Sequence, residues 1–164
     1  MTDGKTKPDE KQDISLSDFI RQVPEGTTIV GLDLGDKTIG VAVADTMRIS
    51  ATPLKTIRRK SFFEDMKELE TLLEGRVIGG FVSGLPKQMN GEEGERAEIT
   101  RKFAWKIACR FKKPLYFQDE RLSSVAVERV FIRDLNMSRK KRKQNIDCGA
   151  AAYILQGVLD ALRF

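Results

Sequence analysis

Residues 28 to 45 constrain the fold more than any other stretch of this chain. Thr28-Ile-Val-Gly-Leu-Asp-Leu-Gly35 is an apolar run that ends on glycine. Thr38 to Asp45 follows, with Ile39, Val41 and Val43 alternating with Gly40, Ala42 and Ala44. Both runs read as buried strands, joined by a tight turn at Gly35-Asp36-Lys37. Residues of such small volume on every second position predict that one face of this pair lies directly beneath a helix.

The remaining pattern extends this pair into a sheet. Residues 51 to 57 read as a third, short strand, which Pro53 confines to an edge or to its own start. Ser61-Phe-Phe-Glu64 is a capping box, after which Phe62, Met66, Leu69 and Leu73 fall at helical spacing until Gly75. Arg76 to Leu85 reads as a buried strand. A long helix is expected from about Glu92 to Phe111, with Thr100, Phe103, Ala104, Ile107, Ala108 and Phe111 as its inner stripe. Pro114 to Gln118 is the next strand, and Ser123 or Ser124 caps a helix running to about Leu135. A basic connector, Ser138 to Gln144, then leads to a last helix from Ile146 to Leu162. The order β-β-β-α-β-α-β-α-α predicts one α/β domain: a mixed five-stranded sheet, its first three strands antiparallel, with helices on both faces. Residues 1–26 read as a flexible leader with a short helix over Ser15 to Gln22, and 27–164 as the domain.

Composition narrows the chemistry. The chain of 164 residues carries a net charge of +5, which favours a polyanionic partner such as nucleic acid. It contains no histidine, and Cys109 and Cys148 are its only cysteines. Disulfide scaffolds, zinc sites and Ser–His or Cys–His catalysis are therefore unexpected. Acid–base or metal chemistry must come from carboxylates, Lys, Tyr or Cys. The polar start MTDGKTKPDEKQD lacks the apolar segment of a signal peptide, and the apolar stretch Val77 to Val82 is too short for a membrane span. The expectation is a cytoplasmic protein without a membrane partner.

Three acids border apolar structure. Asp33 interrupts a buried strand, where an unpartnered carboxylate would cost several kcal/mol. It needs a cation, a metal or a lattice of backbone donors, and the sequence leaves these open. Asp147 begins the spacing 147, 151, 154, 158, 162 (Asp-Ala-Ile-Val-Leu), so it lies on the stripe of the last helix that faces the sheet. It reads equally as a helix cap and as a ligand. Asp119-Glu120-Arg121 follows the strand Leu115 to Gln118, where open α/β sheets place their sites, although an exposed charged turn accounts for it as well. Oxygen ligands without His or Cys select Mg²⁺ or Mn²⁺, ions that serve phosphodiester chemistry. The loop Gly84-Leu-Pro-Lys-Gln-Met-Asn-Gly91 enters a helix and could hold a phosphate on its amides, with Lys87 adding charge. Two basic runs complete the set: Arg58-Arg-Lys60, and Arg139, Lys140, Lys141, Arg142 and Lys143 just before Asp147. Each reads as a solvated face or as a phosphate contact.

In these residues the chain resembles the YqgF/RuvX family of pre-16S rRNA nucleases, once proposed as Holliday-junction resolvases. The motifs are Gly31-Leu-Asp-Leu-Gly-Asp-Lys-Thr-Ile-Gly-Val-Ala-Val-Ala-Asp45, Gly84-Leu-Pro with Asn90-Gly91, Asp119-Glu-Arg-Leu-Ser-Ser124, and Asp147 with Ala150-Ala-Ala-Tyr-Ile-Leu-Gln156. The resemblance implies an RNase H-like fold and trimming of the small-subunit ribosomal RNA precursor. It implies Asp33, Glu120 and Asp147 as catalytic ligands of Mg²⁺ or Mn²⁺, and Lys37 and Arg121 as phosphate contacts. Thr38 stands where the family often has Arg, Ser124 where Thr is usual, and Gly149 where a larger residue is found. A structured RNA is the expected partner, with a monomer or weak homodimer as the acting form. A DNA-junction resolvase, a non-catalytic rRNA-binding assembly factor and an actin- or hexokinase-type ATPase are the alternative classes.

Overall fold

The computed structural model describes residues 13–88, 90–119 and 139–163, and for 139–147 the backbone alone. The elements run α1 (Leu16–Gln22), β1 (Thr28–Leu34), β2 (Thr38–Ala44), β3 (Ala51–Arg58), α2 (Phe62–Leu72), β4 (Ile78–Leu85), α3 (Glu95–Phe111), β5 (Leu115–Asp119) and α4 (Arg139–Leu162). The five strands form one sheet in the order β3-β2-β1-β4-β5. β1 and β2 pair antiparallel, as do β2 and β3, while β4 joins β1 and β5 joins β4 in parallel. Pro53 indeed lies on an edge strand, beside the register shift between Val41 and Ala42.

Strand alternation divides the apolar side chains into two cores. Val30, Leu32, Leu34, Ile39, Val41, Ile57 and Phe81 face α2 and α3. Ile29, Ala42, Ala44 and Val82 face α1 and α4, where Ala151, Ile154, Leu155, Val158 and Leu159 cover them. The small residues of β1 and β2 explain how closely α4 lies. A Cβ added to Gly31 would stand 2.8 Å from the Leu155 Cβ and 2.9 Å from the Ala151 carbonyl oxygen. α1 packs by the same device, with Val23 and Phe19 seated on Gly80 of β4 and Phe19 fully buried.

The helices start where their caps dictate. The Ser15 hydroxyl accepts the Asp18 N–H at 3.1 Å, and the Ser61 hydroxyl accepts that of Glu64 at 3.2 Å. α3 begins at Glu95 rather than Glu92, because Asn90 and Gln88 first close a turn: Glu92 N–H reaches the Asn90 side chain and the Gln88 N–H reaches the Glu92 carbonyl.

The basic stretch before Asp147 requires a correction. It is no connector from Arg139 on: α4 starts there, seven residues earlier than Ile146. Arg, Lys and Gln are good helix formers, and no Pro or Gly interrupts them, so their charge disguised a helical segment. The helix expected between Ser123 and Leu135 lies outside the described residues.

Candidate active site

Register places the candidate residues at one end of the sheet. Asp33 is half-buried near the end of β1. It pairs with Gly40, which pairs with Thr56. Continuing the parallel register Leu32↔Ser83 by one residue sets Gly84 on its other side, and Gly84 pairs with Gln118. The row is therefore Thr56, Gly40, Asp33, Gly84, Gln118. Gly31, two residues before Asp33, points its Cα–H toward α4, so Asp33 projects on the α4 face as well. A glycine thus stands beside it on each neighbouring strand.

The direction of α4 then locates position 147. The Gln156 side chain accepts the Ala51 N–H at 2.9 Å and donates to the Ile49 carbonyl at 3.0 Å, and the Arg163 guanidinium also donates to that carbonyl. Ile49 and Ala51 lie where β2 ends and β1 begins, since Ala44 pairs with Ala51 and Val43 with Val30. The C-terminal half of α4 thus covers the start of β1, and its N-terminal half runs toward Asp33. From Gly31 to Asp33 is about 6.6 Å along the strand, and from Ala151 back to position 147 about 6 Å along the helix. The backbone at position 147 is therefore carried toward the Asp33 end of the sheet. Asp147 is also eight residues inside the helix, so it cannot be the helix cap that the sequence left open. Gly149, expected in a first turn, is buried in mid-helix.

Other candidates sort as follows. Glu120 and Arg121 lie outside the described residues, as do the side chains of Arg139, Lys140, Lys141, Arg142, Lys143 and Asp147. Among the described residues no group of three or more metal-ligating side chains occurs. Asp119 ends β5 and is exposed. Asp45 is at the opposite end of the sheet because β2 runs antiparallel to β1. Its carboxylate accepts the Ile49 and Ser50 N–H groups at 2.7 and 2.8 Å, and the Ser50 bond foremost holds its pKa below the ordinary value. Asp45 is a turn builder.

Lys37 is exposed in the β1–β2 turn, and Lys87 is half-buried just beyond β4. Some amides of the Lys87 loop are used locally. Its Gln88, Gly91 and Glu92 amides bond within the loop, and Glu93 is gripped by Arg101 at 2.6 and 2.8 Å. That bond, helped by Lys87, keeps the Glu93 pKa low. Arg101 also pairs with Asp13 at 2.5 Å and stacks 4.9 Å from the Phe117 ring, fixing the loop to the edge of the sheet. Gln118, which sequence reasoning did not single out, stands in the same row as Asp33. It lines a cleft of about 310 Å³ with Asp119, Tyr153, Ile154, Gly157 and Asp160.

A mixed five-stranded sheet with this order, and an acid on the central strand below a long C-terminal helix, defines the RNase H-like class. Solved structures agree on the fold. Thermus thermophilus RuvC, solved with a Holliday junction substrate, aligns with a TM-score of 0.51 at 11% identity, over 84% of this chain and 96% of that one. The fowlpox virus Holliday junction resolvase aligns with a TM-score of 0.50 at 14% identity, over 82% and 99%. Within that class, residues 27–161 match the family described as RuvX, Holliday junction resolvase, and the chain belongs to that family. A relative from Ruegeria sp. (strain TM1040), named "Putative pre-16S rRNA nuclease", is 48% identical over 91% of this chain and 94% of its own. One of the same name from Rhodospirillum rubrum is 46% identical over 90% and 92%.

Proposed function

We propose that this protein is a divalent-metal-dependent nuclease that cleaves phosphodiester bonds in the precursor of the small-subunit ribosomal RNA. The observation that carries the reading is Asp33, a carboxylate set between Gly40 and Gly84 at the end of the sheet toward which position 147 of α4 is directed. The relatives' name supplies the substrate. Asp33, Glu120 and Asp147 would hold Mg²⁺ or Mn²⁺. These donors are oxygen only, and Asp33 lies among glycines in an apolar strand, the setting in which a hard cation offsets the burial of charge. When bound, such an ion polarises the phosphoryl oxygens and assists the leaving oxygen.

The protein residues do the rest. β1 and α4 fix the direction of approach of the first and last carboxylates. Lys37 and Arg121 hold phosphates near the scissile bond, Lys87 neutralises one from the loop beyond β4, and Arg139 to Lys143 extend the contact along the first turns of α4. These contacts go to the backbone and supply affinity without reading bases. Among the described residues no helix is long and apolar enough to cross a membrane, and the cytoplasm is the compartment where this substrate is made.

The test is cleavage of ribosomal precursor, RNA duplex, four-way DNA junction and single-stranded substrates, with Mg²⁺, with Mn²⁺ and with chelator. Preferred, metal-dependent cutting of the precursor is expected. Preferred cutting of the junction would assign a resolvase instead, and binding without turnover an assembly factor.

A further inference from the structure

The strand that carries Asp33 ends in the turn Gly35-Asp36-Lys37, and how that turn is held decides how firmly Asp33 is placed. The ladder from β1 to β4 runs as far as Leu32↔Ser83. Beyond it β1 is held by its hairpin with β2, through the pairs Asp33↔Gly40 and Leu34↔Ile39 and the bond from the Gly35 N–H to the Thr38 carbonyl at 2.9 Å. Whatever fixes the turn therefore fixes the end of the strand.

Arg59, just past β3, grips that turn by its backbone and its side chain. Its Nη1 donates to the Gly35 carbonyl at 2.7 Å and reaches the Asp36 carbonyl at 3.4 Å, while its N–H donates to the Lys37 carbonyl at 2.8 Å. All three carbonyls of the turn thus take a donor from one residue. The guanidinium lies 4.2 Å from the centre of the Phe103 ring, so α3 holds it in place. The next residue is tied to α2, the Lys60 N–H donating to the buried Asp65 at 2.9 Å. Phe103 belongs to the α2–α3 core, as does Ile57, two residues before Arg59. Asp33 projects on the other face of the sheet, toward α4. Arg59 therefore grips the turn from behind. An arginine suits this place, because its planar fork serves neighbouring acceptors while its face stacks on a ring, and a lysine ammonium does not combine the two.

We propose that Arg59 is a positioning residue of the nuclease. By holding the Gly35–Lys37 turn against α3 it fixes the end of β1 that carries Asp33, and it sets the backbone from which Lys37 is presented. Its charge is spent on carbonyls of the turn rather than on phosphate, which separates it from the basic run in which it stands. A metal-binding carboxylate is effective only where it is held, since a displacement of about 1 Å lowers the rate by up to ~10²-fold. The inference rests on the nuclease reading and adds to it the residue that keeps Asp33 in place.

The test measures kcat and KM for cleavage of the ribosomal precursor with Mg²⁺, well below each melting temperature. It compares wild type with Arg59→Gln, Arg59→Lys and Arg110→Gln, a charge control near the C-terminal end of α3. Arg59→Gln should lower kcat by up to ~10²-fold and leave KM essentially unchanged. Arg59→Lys keeps the charge and the bond to the Lys37 carbonyl but loses the fork, and should lower kcat several-fold at the same KM. Arg110→Gln should change neither constant. A raised KM at unchanged kcat, restored by Arg59→Lys, would make Arg59 a phosphate contact and overturn the proposal. A lower melting temperature with both constants unchanged would make it structural only, and overturn it too. If Arg59→Gln does not fold, Arg59→Lys decides between the same outcomes. Hydrogen exchange reads the clamp without any substrate: the Gly35 N–H should exchange several-fold faster in both Arg59 variants than in wild type. Unchanged exchange overturns the clamp. Faster exchange in a protein whose wild type cleaves nothing with Mg²⁺ or Mn²⁺ upholds the clamp and overturns the nuclease reading alone.

Discussion

Asp33 and Asp45 lie on adjacent strands at opposite ends of the sheet, and their surroundings differ in kind. At the Asp45 end the polar groups serve the local turn and its neighbour α1. The carboxylate receives two amides of the following turn, its carbonyl accepts the Arg48 N–H, and Arg48 takes a left-handed φ of 58°. The Arg48 guanidinium donates to the Val23 and Pro24 carbonyls and locks α1 in place. At the Asp33 end the carboxylate is set inside a strand between glycines, and the turn that follows carries the exposed Lys37. Residue type is therefore a poor guide to role. An acid that takes up the amides of its own turn stabilises the fold; one set within a strand at the row toward which α4 runs has no such local turn to build.

The largest effect that could break this contrast is expected from Asp33→Asn. Asn keeps shape and one acceptor oxygen, so a merely structural Asp33 would tolerate it with a modest stability loss. A ligand would not. Cleavage should fall by orders of magnitude while nucleic-acid binding persists. Melting without metal should hold or rise as repulsion between neighbouring acids is relieved. The stabilisation added by Mg²⁺, RT ln(1 + [L]/Kd), should shrink. Normal cleavage, or a much lower melting temperature without metal, would place Asp33 in the same class as Asp45.

A matched pair of glycine substitutions comes next. Gly31→Ala drives a methyl against Leu155 and Ala151 and must lift α4; Gly80→Ala drives one against Val23, at 2.9 Å, and Phe19, at 3.0 Å, and lifts α1 instead. Each should cost about 1–3 kcal/mol by overpacking, visible as a lower melting temperature. Only Gly31→Ala should also reduce cleavage, by up to ~10²-fold, since misplacing a catalytic group by about 1 Å has that consequence. Equal losses of activity, measured well below both melting points, would show that α4 is not the element that positions the chemistry.

These cases also show what the sequence makes legible. The strands, their antiparallel start and the close helix over Gly31, Gly40, Ala42 and Ala44 follow from alternation and residue volume, which are local properties. Asp33 stands out because a charge in an apolar strand is conspicuous wherever the strand ends up. The start of α4 was misread because a run of cations resembles a solvated loop until a helix is seen to carry it. Arg59 and its neighbours were indistinguishable as letters: only Phe103 and the Gly35 carbonyl, brought in from other elements, separate the structural cation from the two beside it. The place of Gln118 in the row of Asp33 depends on register across three strands, which no local stretch encodes.

Asp45→Asn is the smallest expected effect and completes the contrast from its structural side. Asn still offers one oxygen to the Ile49 and Ser50 amides but no longer a charge, so the turn that follows β2 loosens and the melting temperature falls modestly at neutral pH. Cleavage per folded molecule should not change, because the turn is at the far end of the sheet from Asp33. The sign of the pH dependence follows from the lowered pKa of Asp45, caused first by the Ser50 N–H. A carboxylate whose folded pKa lies below its unfolded one stabilises the protein above the unfolded value, ~3.9, and loses that contribution as the pH falls through the folded value. The melting-temperature gap between wild type and Asp45→Asn should stay constant from neutral pH to about pH 5, narrow as the pH falls past about 4, and close only below the folded value, where both side chains are neutral. A gap that persists undiminished in acid would mean that shape rather than charge holds the turn. A loss of cleavage at neutral pH would mean that the two ends of the sheet are coupled, and that the division drawn between them is wrong.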